Sequence, residues 1–348
     1  MSKLNQRDQT VLEAVITDYI ETGEPVGSRT ISKRSGMNIS PATIRNVMAD
    51  LEEMGLLQQP HTSAGRVPTA KGLRFYLDSI MQSKQLERQE RALIRQALQF
   101  PQQDVKELLH QTSKLLSEFC QQAGVVLWPK LTVMRFKHIE FIRLSSTQIM
   151  VILISKSGLI HQTYIHWEEK ADQEELDKFG RYIDELLQDV PLGKVKERVL
   201  EEMRSERVLF DQLISRALEM THKAVQTTLE NSDVYIEGQS HLFNNPEFAD
   251  VQRMRRVLQT FEDKSRIIRL LDMTLRMSTG VQIIFGSDSE LQGMQEMSLI
   301  SSPYGRGDTP LGVLGVIGPL RMDYSRIIPV VEFTANLLTH LLEITGEE

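Results

Sequence analysis

The sequence predicts an α+β protein with an N-terminal winged helix-turn-helix and a larger body of mixed strands and helices. Three observations lead to this prediction. Residues 6–82 contain four helical patterns, with one β-hairpin pattern between the third and the fourth. Residues 135–165 and 281–317 change to short β-rich runs, and a long charged helical stretch separates the two regions. The simplest arrangement is one sheet domain that carries a helical insertion.

Two predicted helices precede the segment with the most specific pattern. Residues 6–21 place apolar side chains at helical spacing, and a Gly-Glu-Pro break follows at residues 23–25. Ser28 then caps a short predicted helix that runs to Lys33. A third helix follows closely, which makes a helix-turn-helix, and we expect Ser28 and Arg29 to contact DNA.

The third helix is the candidate recognition element. Ser40 is a predicted N-cap, Pro41 suits the first helical position, and apolar residues recur along one face as far as Met54. The acids of this helix come only in its second half, which leaves the positive end of the helix dipole for phosphates. The front of the helix carries the side chains that we predict to contact DNA: Ser40, Ala42, Thr43, Arg45 and Asn46.

A β-wing is predicted after this helix. Gly55 is a predicted left-handed cap, and two short strands follow, with a tip at residues 60–65 between them. The wing carries side chains that we expect along a phosphate backbone or in a minor groove: His61, Thr62, Ser63 and Arg66. Taken alone, a helix followed by a hairpin also fits proteins that do not bind DNA. The two helices upstream favour the winged helix-turn-helix.

Charge is distributed unevenly along the chain. Residues 25–75 hold seven bases and three acids, a net charge of +4, so the rest of the chain carries −11 of the overall −7. An acidic protein with one basic face suits site-specific DNA binding better than general coating of nucleic acid. The helix that closes this region, residues 69–81, places Lys71 and Arg74 on its exposed side, where they either touch phosphates or are solvated.

Composition sets the outer limits. A chain of 348 residues with 41% hydrophobic and 25% charged residues is typical of a globular protein of about two to three domains. It has no run of apolar residues long enough to span a membrane and no apolar signal core at its N-terminus, so we expect a cytoplasmic protein. The single cysteine, Cys120, excludes an internal disulfide and is expected in the core rather than as a redox switch.

The sequence contains no recognisable catalytic motif. Its eight histidines lack the paired spacing with cysteine or carboxylates that defines a metal site, and there is no nucleophile elbow, Walker A loop or dinucleotide fingerprint. We therefore expect no enzyme activity, no metal and no cofactor.

The body reads as alternating segments. A linker helix at residues 83–100 leads to a helix at 104–121, and an antiparallel meander is predicted at residues 135–144, 148–155 and 159–165. A helix at 173–187 and a charged helical stretch at 194–230 follow, and then a strand at 234–238. The remaining predicted elements are a helix at 250–276, strands at 281–285, 297–302 and 311–317, and a last helix at 325–344.

Several phrases resemble a known family. They are GEPVGS at residues 23–28, SPATIRN at 40–46 and PHTSAGRVPT at 60–69, with YG at 304–305 and LGVLGVIGPLRMDY at 311–324 near the other end. These phrases are similar to those of the HrcA family of heat-inducible transcription repressors. The resemblance extends from end to end, with the middle third matching mostly in pattern.

The resemblance implies a domain organisation and a function. Residues 1–82 would be the winged-helix DNA-binding domain, 83–103 a linker helix, 104–190 and 246–348 a GAF-like domain, and 191–245 an inserted helical dimerisation domain. A homodimer would bind an inverted-repeat operator upstream of chaperonin and chaperone operons, lose activity on heat shock, and depend on the chaperonin for its active fold. Against dimerisation, the apolar residues of the insertion could pack on their own chain.

Two other classes of function remain open. A metabolite-responsive winged-helix regulator would share the DNA-binding head and hold a small molecule in its C-terminal domain. An interaction protein or an enzyme that merely contains a winged helix would not need Arg45 and Arg66.

Overall fold

The computed structural model describes most of the chain. The described residues are 4–34, 39–61, 64–79, 81, 85–98, 105–129, 135–156, 160–169, 171–188, 190–203, 212–229, 233–244, 248, 250–276, 280–288, 294–305 and 310–344. Within these ranges, no helix combines the length and the hydropathy needed to cross a membrane.

The N-terminal part is a winged helix-turn-helix, as the sequence predicts. Its strands pair antiparallel, α1 packs on α3 and α4, and α2 packs on α3. We call this part the head, and its elements are α1 (Gln6–Thr22), α2 (Ser28–Arg34), α3 (Pro41–Glu53), β1 (Leu57–Gln58), β2 (Val67–Pro68) and α4 (Ala70–Ser79).

The core of the head comes from the stripes that the helical spacing predicts. Leu12 and Ile16 of α1 and Ile44 and Leu51 of α3 are fully buried. Each such side chain contributes about 1.5–3 kcal/mol by leaving water. Met54, which we included in the predicted stripe, is 38% exposed because α3 ends before it and the chain turns at Gly55.

The rest of the described chain alternates between helices and strands. In chain order, its elements are α5 (Arg88–Leu98), α6 (Val105–Cys120), β3 (Ala123–Leu127), β4 (Phe136–Arg143), β5 (Gln148–Ser155), β6 (Ile160–His166), α7 (Gln173–Leu187), α8 (Leu192–Met203), α9 (Gln212–Leu229), β7 (Val234–Glu237), α10 (Val251–Glu262), α11 (Lys264–Arg276), β8 (Gln282–Phe285), β9 (Met297–Tyr304), β10 (Gly312–Pro319) and α12 (Tyr324–Ile344).

A five-stranded antiparallel sheet forms the centre of the body. Its strand order is β7-β3-β10-β9-β8. Helices α6 and α12 pack on one face of this sheet and α11 on the other, where side chains of α10 join the same apolar cluster. Strand β3 was not predicted, because its five residues are all buried and show no alternation. We call the sheet and these helices the body.

A second sheet was not predicted as a separate unit. Strands β4, β5 and β6 pair only with one another among the described strands, and they pack against α7 and α9. The prediction that this meander belongs to the sheet of the domain 104–190 and 246–348 is therefore wrong. So is the assignment of residues 234–237 to the insertion 191–245, because β7 pairs with β3. The alternation of apolar and polar residues predicts that a segment is a strand, but it does not show with which strand that segment pairs.

The excursion between β3 and β7 is a compact unit, which we call the inserted unit (residues 135–229). Its helices bury their apolar side chains on their own chain: Val195 and Val199 of α8 and Leu218 and Ala224 of α9 are fully buried. The alternative in which the apolar helical residues pack within the chain is the one that the structure supports at these positions.

One face of the three-stranded sheet is covered and the other is open. Along β5, residues Ile149, Val151 and Leu153 are buried, whereas the residues between them are only half-buried. Ile160 and Tyr164 of β6 are 54% and 55% exposed. We call this surface the open face. Glu140 and Gln162 lie on it opposite Ile152, and its apolar residues are Ile142, Met150, Ile152, Ile154, Ile160 and Tyr164.

The edge of this sheet at β4 is closed by α7. The carboxylate of Asp184 accepts a hydrogen bond from the backbone N–H of Ile139 at 2.9 Å. The side chain of Gln173 accepts from the backbone N–H of Arg143 at 3.3 Å and donates to the carbonyl of Phe141 at 2.9 Å. These bonds occupy backbone groups that a further strand would need.

The single cysteine is a core residue. Cys120 lies at the end of α6 and is 9% exposed, and burial raises the pKa of its thiol to about 12. The thiol is therefore protonated and unreactive at neutral pH.

Candidate nucleic-acid interface

Helix α3 is held at its start by a side-chain cap. The hydroxyl of Ser40 accepts a hydrogen bond from the backbone N–H of Thr43 at 3.1 Å, and the two hydroxyls lie 2.9 Å apart. Pro41 occupies the first turn, where its missing N–H costs nothing. The predicted cap is confirmed, and it fixes the direction of the helix end that would enter a DNA groove.

The burial pattern turns one face of α3 outward. Ile44, Val47, Met48 and Leu51 are buried. The outward stripe begins with Ala42, Arg45 and Asn46, which are exposed, while Thr43 is half-buried beside the cap. Because exposed residues three and four positions apart share one helix face, the predicted contact residues of α3 form one continuous surface. The acids Asp50 and Glu53 lie further back.

A cleft opens beside α3, between the start of α2 and the wing. It has a volume of about 410 Å³, and Arg29, Arg45 and Arg66 line it. Arg29 and Arg45 are exposed and form no ion pair with any residue inside the described ranges. The predicted contact Ser28 also lines the cleft, but it is 8% exposed, so little of its hydroxyl is accessible. Two guanidinium groups beside a groove suit a phosphate backbone.

Arg66 has an internal partner that the sequence did not reveal. Its guanidinium Nη2 lies 2.8 Å from Oε2 of Glu52 on α3, and its side chain is 20% exposed. Its backbone pairs with Val26 through two hydrogen bonds of 2.9 Å. Arg66 therefore ties the wing to α3 and to the chain before α2, and its contact with a phosphate stays a prediction.

The close approach at this point requires a glycine. A Cβ on Gly65 would lie 2.4 Å from the carbonyl carbon of Val26, well inside van der Waals contact. Gly65, the last residue of the predicted wing tip, thus allows the wing to pack against the chain before α2. The phrase at residues 23–28 and the wing phrase meet here.

The wing tip is described only in part. His61 is exposed, and its carbonyl accepts a hydrogen bond from the backbone N–H of Ala64 at 2.9 Å, which closes a turn. The side chain of Gln59 donates to the carbonyl of Ala64 at 3.0 Å. The predicted contacts Thr62 and Ser63 lie outside the described residues.

The two bases on α4 have roles that neither of our alternatives included. The ammonium of Lys71 donates to the carbonyl of Met54 at 2.7 Å and so caps the C-terminal end of α3. The guanidinium of Arg74 lies 5.4 Å from the centre of the Phe285 ring in the body. Neither role was visible in the sequence, because each partner is distant along the chain.

Metal chemistry has no support in the described part of the chain. It contains no group of three or more His, Cys, Asp or Glu side chains that could hold a metal ion. The exposed functional groups that converge in the head are cationic and amide side chains, which bind anions and base edges.

The fold and this surface define a DNA-binding protein of the winged helix-turn-helix class. Residues 3–78 match the family model of the winged helix-turn-helix transcription repressor, HrcA DNA-binding domain, and residues 106–328 match the HrcA protein C-terminal domain. The chain belongs to the HrcA family, which consists of transcription repressors and not of enzymes.

Relatives of full length agree with this assignment. The chain is 71% identical to the heat-inducible transcription repressor HrcA of Syntrophobacter fumaroxidans and 46% identical to that of Geobacter sulfurreducens, with 100% and 99% of both chains covered. A crystal structure described as that of a hypothetical protein is similar in fold, with a TM-score of 0.64, 23% identity, and 99% and 100% of the two chains covered.

Proposed function

We propose that this repressor binds an inverted-repeat operator as a homodimer, with α3 of each copy in a major groove. The proposal is carried by the front of α3, where Arg45 and Asn46 are exposed on a helix whose opposite face is buried. Arg pairs with the major-groove edge of guanine and Asn with that of adenine. Arg29 lines the same cleft as Arg45, and we assign it to a phosphate.

The proposed target follows from the family. The two relatives are named as heat-inducible repressors, so we propose operators upstream of chaperonin and chaperone operons in the cytoplasm, with occupancy lost on heat shock. We further propose that the chaperonin keeps the repressor in its active fold. Chaperonin occupied by unfolded clients would then leave the repressor inactive.

Fluorescence anisotropy tests the proposed function directly. Purified full-length protein is titrated with a duplex that carries the chaperonin-operon inverted repeat and with a duplex in which one half is scrambled, at near-physiological salt, with and without chaperonin. We expect a strong preference for the intact repeat, and tighter binding when chaperonin is present. Equal, weak and salt-sensitive binding of both duplexes by folded dimer would contradict the proposal.

Arg45 is the residue to change first. If it reads a base, Arg45→Ala weakens binding of the intact repeat by about 1–3 kcal/mol and lowers the preference over scrambled DNA. Arg255→Ala is the matched control, because Arg255 is an exposed arginine on α10 of the body. Equal losses on intact and scrambled DNA would remove Arg45 from base reading.

Arg66 and Glu52 need a paired test. We predict that Arg66→Ala reduces the salt dependence of binding by about one unit if its guanidinium meets a phosphate. Since Arg66 is paired with Glu52, Glu52→Gln separates two roles. Glu52→Gln tightens DNA binding if Arg66 contacts a phosphate, because the substitution removes a negative charge beside that contact. It weakens binding if the pair mainly holds the wing in place.

Dimerisation is proposed through the open face of the inserted unit. Residues 149–154 of β5 read IMVILI, an unbroken apolar run of the kind found in strands that are covered on both faces. Among the described residues of one copy, only one face of this sheet is covered. A second copy that places its own open face here would supply the missing layer, at the usual spacing of about 10 Å between packed sheets.

Two further observations support this surface over others in the inserted unit. Val199 of α8 and Leu218 of α9, two of the apolar residues that the sequence offered for dimerisation, are buried in their own chain. The β4 edge is closed by Asp184 and Gln173, so the sheet cannot continue there into a partner.

We also propose that the body is the GAF-like domain and that residues 1–82 and 83–103 are the DNA-binding domain and its linker.

A further inference from the structure

Two phrases of the sequence that lie far apart along the chain meet at one point. Arg321, in the phrase at residues 311–324, donates a hydrogen bond from Nη1 to the carbonyl of Ile20 at 3.3 Å. That carbonyl belongs to the last turn of α1, where the helix dipole is negative and a cation is favoured. A residue of the body thus donates a hydrogen bond to the C-terminal end of the first helix of the head.

Gly23 makes room for this contact. It ends α1 with φ +75°, and its N–H donates to the carbonyl of Tyr19 at 2.9 Å. A Cβ at this position would lie 2.8 Å from Nη1 of Arg321, so a side chain there would push the guanidinium away. Glycine is therefore needed both for its left-handed backbone and for the approach of the arginine.

Arg321 stands on a firmly held segment. The hydroxyl of Tyr324 lies 2.8 Å from the carbonyl of Leu320 and 3.1 Å from the hydroxyl of Ser298 on β9, and Tyr324 is buried. The carboxylate of Asp323 accepts from the hydroxyl of Ser325 at 2.6 Å at the start of α12. The residues on both sides of Arg321 are thus fixed to the body.

A second contact attaches the head to the same corner of the body. Arg74 of α4 stacks over the ring of Phe285, and that ring lies edge-on to Tyr324, with 6.5 Å between the ring centres. Two helices of the head are therefore bound next to the start of α12. We call the set Ile20, Gly23, Arg74, Phe285 and Arg321 the joint.

The joint borders a cleft between head and body. The cleft has a volume of about 350 Å³, with Thr17, Glu21 and Tyr76 of the head on one side and Asp323 and Ser325 of the body on the other. In addition to the apolar cluster that head and body share, directed contacts beside this cleft hold the head at this corner. We expect loss of one directed contact to change the angle of the head on the body.

We propose that Arg321 is a positioning residue for operator binding: it fixes the angle of the head on the body, and so sets the distance between the two α3 helices of the dimer. This inference rests on the proposed function, because it needs two heads on one inverted repeat. Two linked binding modules gain affinity only when their geometry matches the span between the sites. Arg321 would then decide which spacing of half-sites the repressor accepts.

Binding to a spacer series tests this role. Full-length protein is titrated by anisotropy with a single half-site, with the intact repeat, and with repeats whose spacer is changed by one to five base pairs. Wild type should prefer the natural spacer by about tenfold or more, since a mismatched span forfeits the gain from the second head. Arg321→Met should abolish this preference while its half-site affinity stays within about twofold of wild type.

Matched variants isolate the contact. Arg321→Lys keeps the charge and one donor, so it should restore part of the preference for the natural spacer. Arg326→Met removes an exposed arginine five residues further on and should behave as wild type. Gly23→Ala leaves Arg321 in the chain but displaces its guanidinium, and it should reproduce the spacing defect of Arg321→Met without adding to it in the double variant.

Three results would overturn the inference. A uniform loss on half-site and every spacer would make Arg321 a general structural residue. An unchanged spacer preference in both Arg321→Met and Gly23→Ala would show that the joint does not set the angle. A wild-type dimer that fails to prefer the intact repeat over a half-scrambled one would remove the proposed function first, and the wild-type titration alone distinguishes that case.

Discussion

The two sheets of this protein differ in how completely they are covered. Every residue of β10 in the five-stranded sheet is buried, because α6 and α12 lie on one face and α11 lies on the other. In the three-stranded sheet, buried residues alternate with half-buried ones along β5, although residues 149–154 of this strand are all apolar. The sheet of the body is thus covered on both faces within one chain. The sheet of the inserted unit has the composition of a sheet covered on both faces, but the described residues cover only one of them.

The largest effect should come from a charge on the open face. Ile152→Glu places a carboxylate at the centre of the proposed interface, and burying it without a partner is strongly unfavourable. We expect the dimer dissociation constant to rise by about a thousandfold, or about 4 kcal/mol. Analytical ultracentrifugation measures this directly.

The control for this variant lies on the covering helix. Lys178→Glu adds an acid to the exposed side of α7, on the covered side of the same sheet, and should leave the dimer intact. A dimer that survives Ile152→Glu would show that the inserted unit is not completed by a second copy.

A cavity in the body should act on stability and not on assembly. Leu314 of β10 is fully buried, so Leu314→Ala should lower the free energy of unfolding by about 3 kcal/mol. Ile152→Ala, on the open face, should cost less in unfolding and should weaken the dimer instead. Urea titrations followed by fluorescence, combined with sedimentation, separate the two. Equal effects of both variants on unfolding and on assembly would contradict the proposal that only the three-stranded sheet is covered by a second copy.

The two tryptophans report on the two units separately. Trp128 follows β3 in the body, and Trp167 follows β6 in the inserted unit, where it is buried beneath the ammonium of Lys223. If a second copy completes the inserted unit, its melting temperature rises with protein concentration by mass action, by a few degrees for each tenfold increase. Heating a Trp128→Phe protein and a Trp167→Phe protein at several concentrations measures this. A concentration dependence confined to the body signal would contradict the proposal.

The smallest effect concerns pH. Burial, and then the nearby Lys106 of α6, lower the pKa of His161 on β6. The folded state therefore holds this imidazole neutral, while the unfolded chain takes up a proton near the ordinary pKa of about 6.5. Stability of the inserted unit should fall as the pH falls below that value, and His161→Gln should reduce the fall. Melting followed by Trp167 fluorescence between neutral and mildly acidic pH checks this. An unchanged pH dependence in His161→Gln would show that His161 does not cause the loss of stability.

Local rules predicted the head well. The cap at Ser40, the left-handed turn at Gly55 and the buried stripe of α3 depend on residues within one or two turns of each other. They therefore leave a signature in the sequence. The exposed side of α3 follows from the same stripe, which is why the exposure of Arg45 and Asn46 could be predicted.

Partners that are distant along the chain were not predictable in this way. The sequence predicted a DNA contact for Arg66 but could not reveal that its guanidinium is paired with Glu52. It offered two roles for Arg74, and the structure places that side chain on an aromatic ring of the body. The meander was recognised as three antiparallel strands, but strand alternation carries no information on which sheet they join.

The contact between Arg321 and the carbonyl of Ile20 joins residues 301 positions apart. A ribosome delivers the head first, and domains generally fold in the order in which they emerge. The residue that orients the head is synthesised 301 residues after its partner in α1. In a nascent repressor, the head can therefore be folded before its angle on the body is fixed. The length of chain between Ile20 and Arg321 thus delays the moment at which a new copy can recognise its operator.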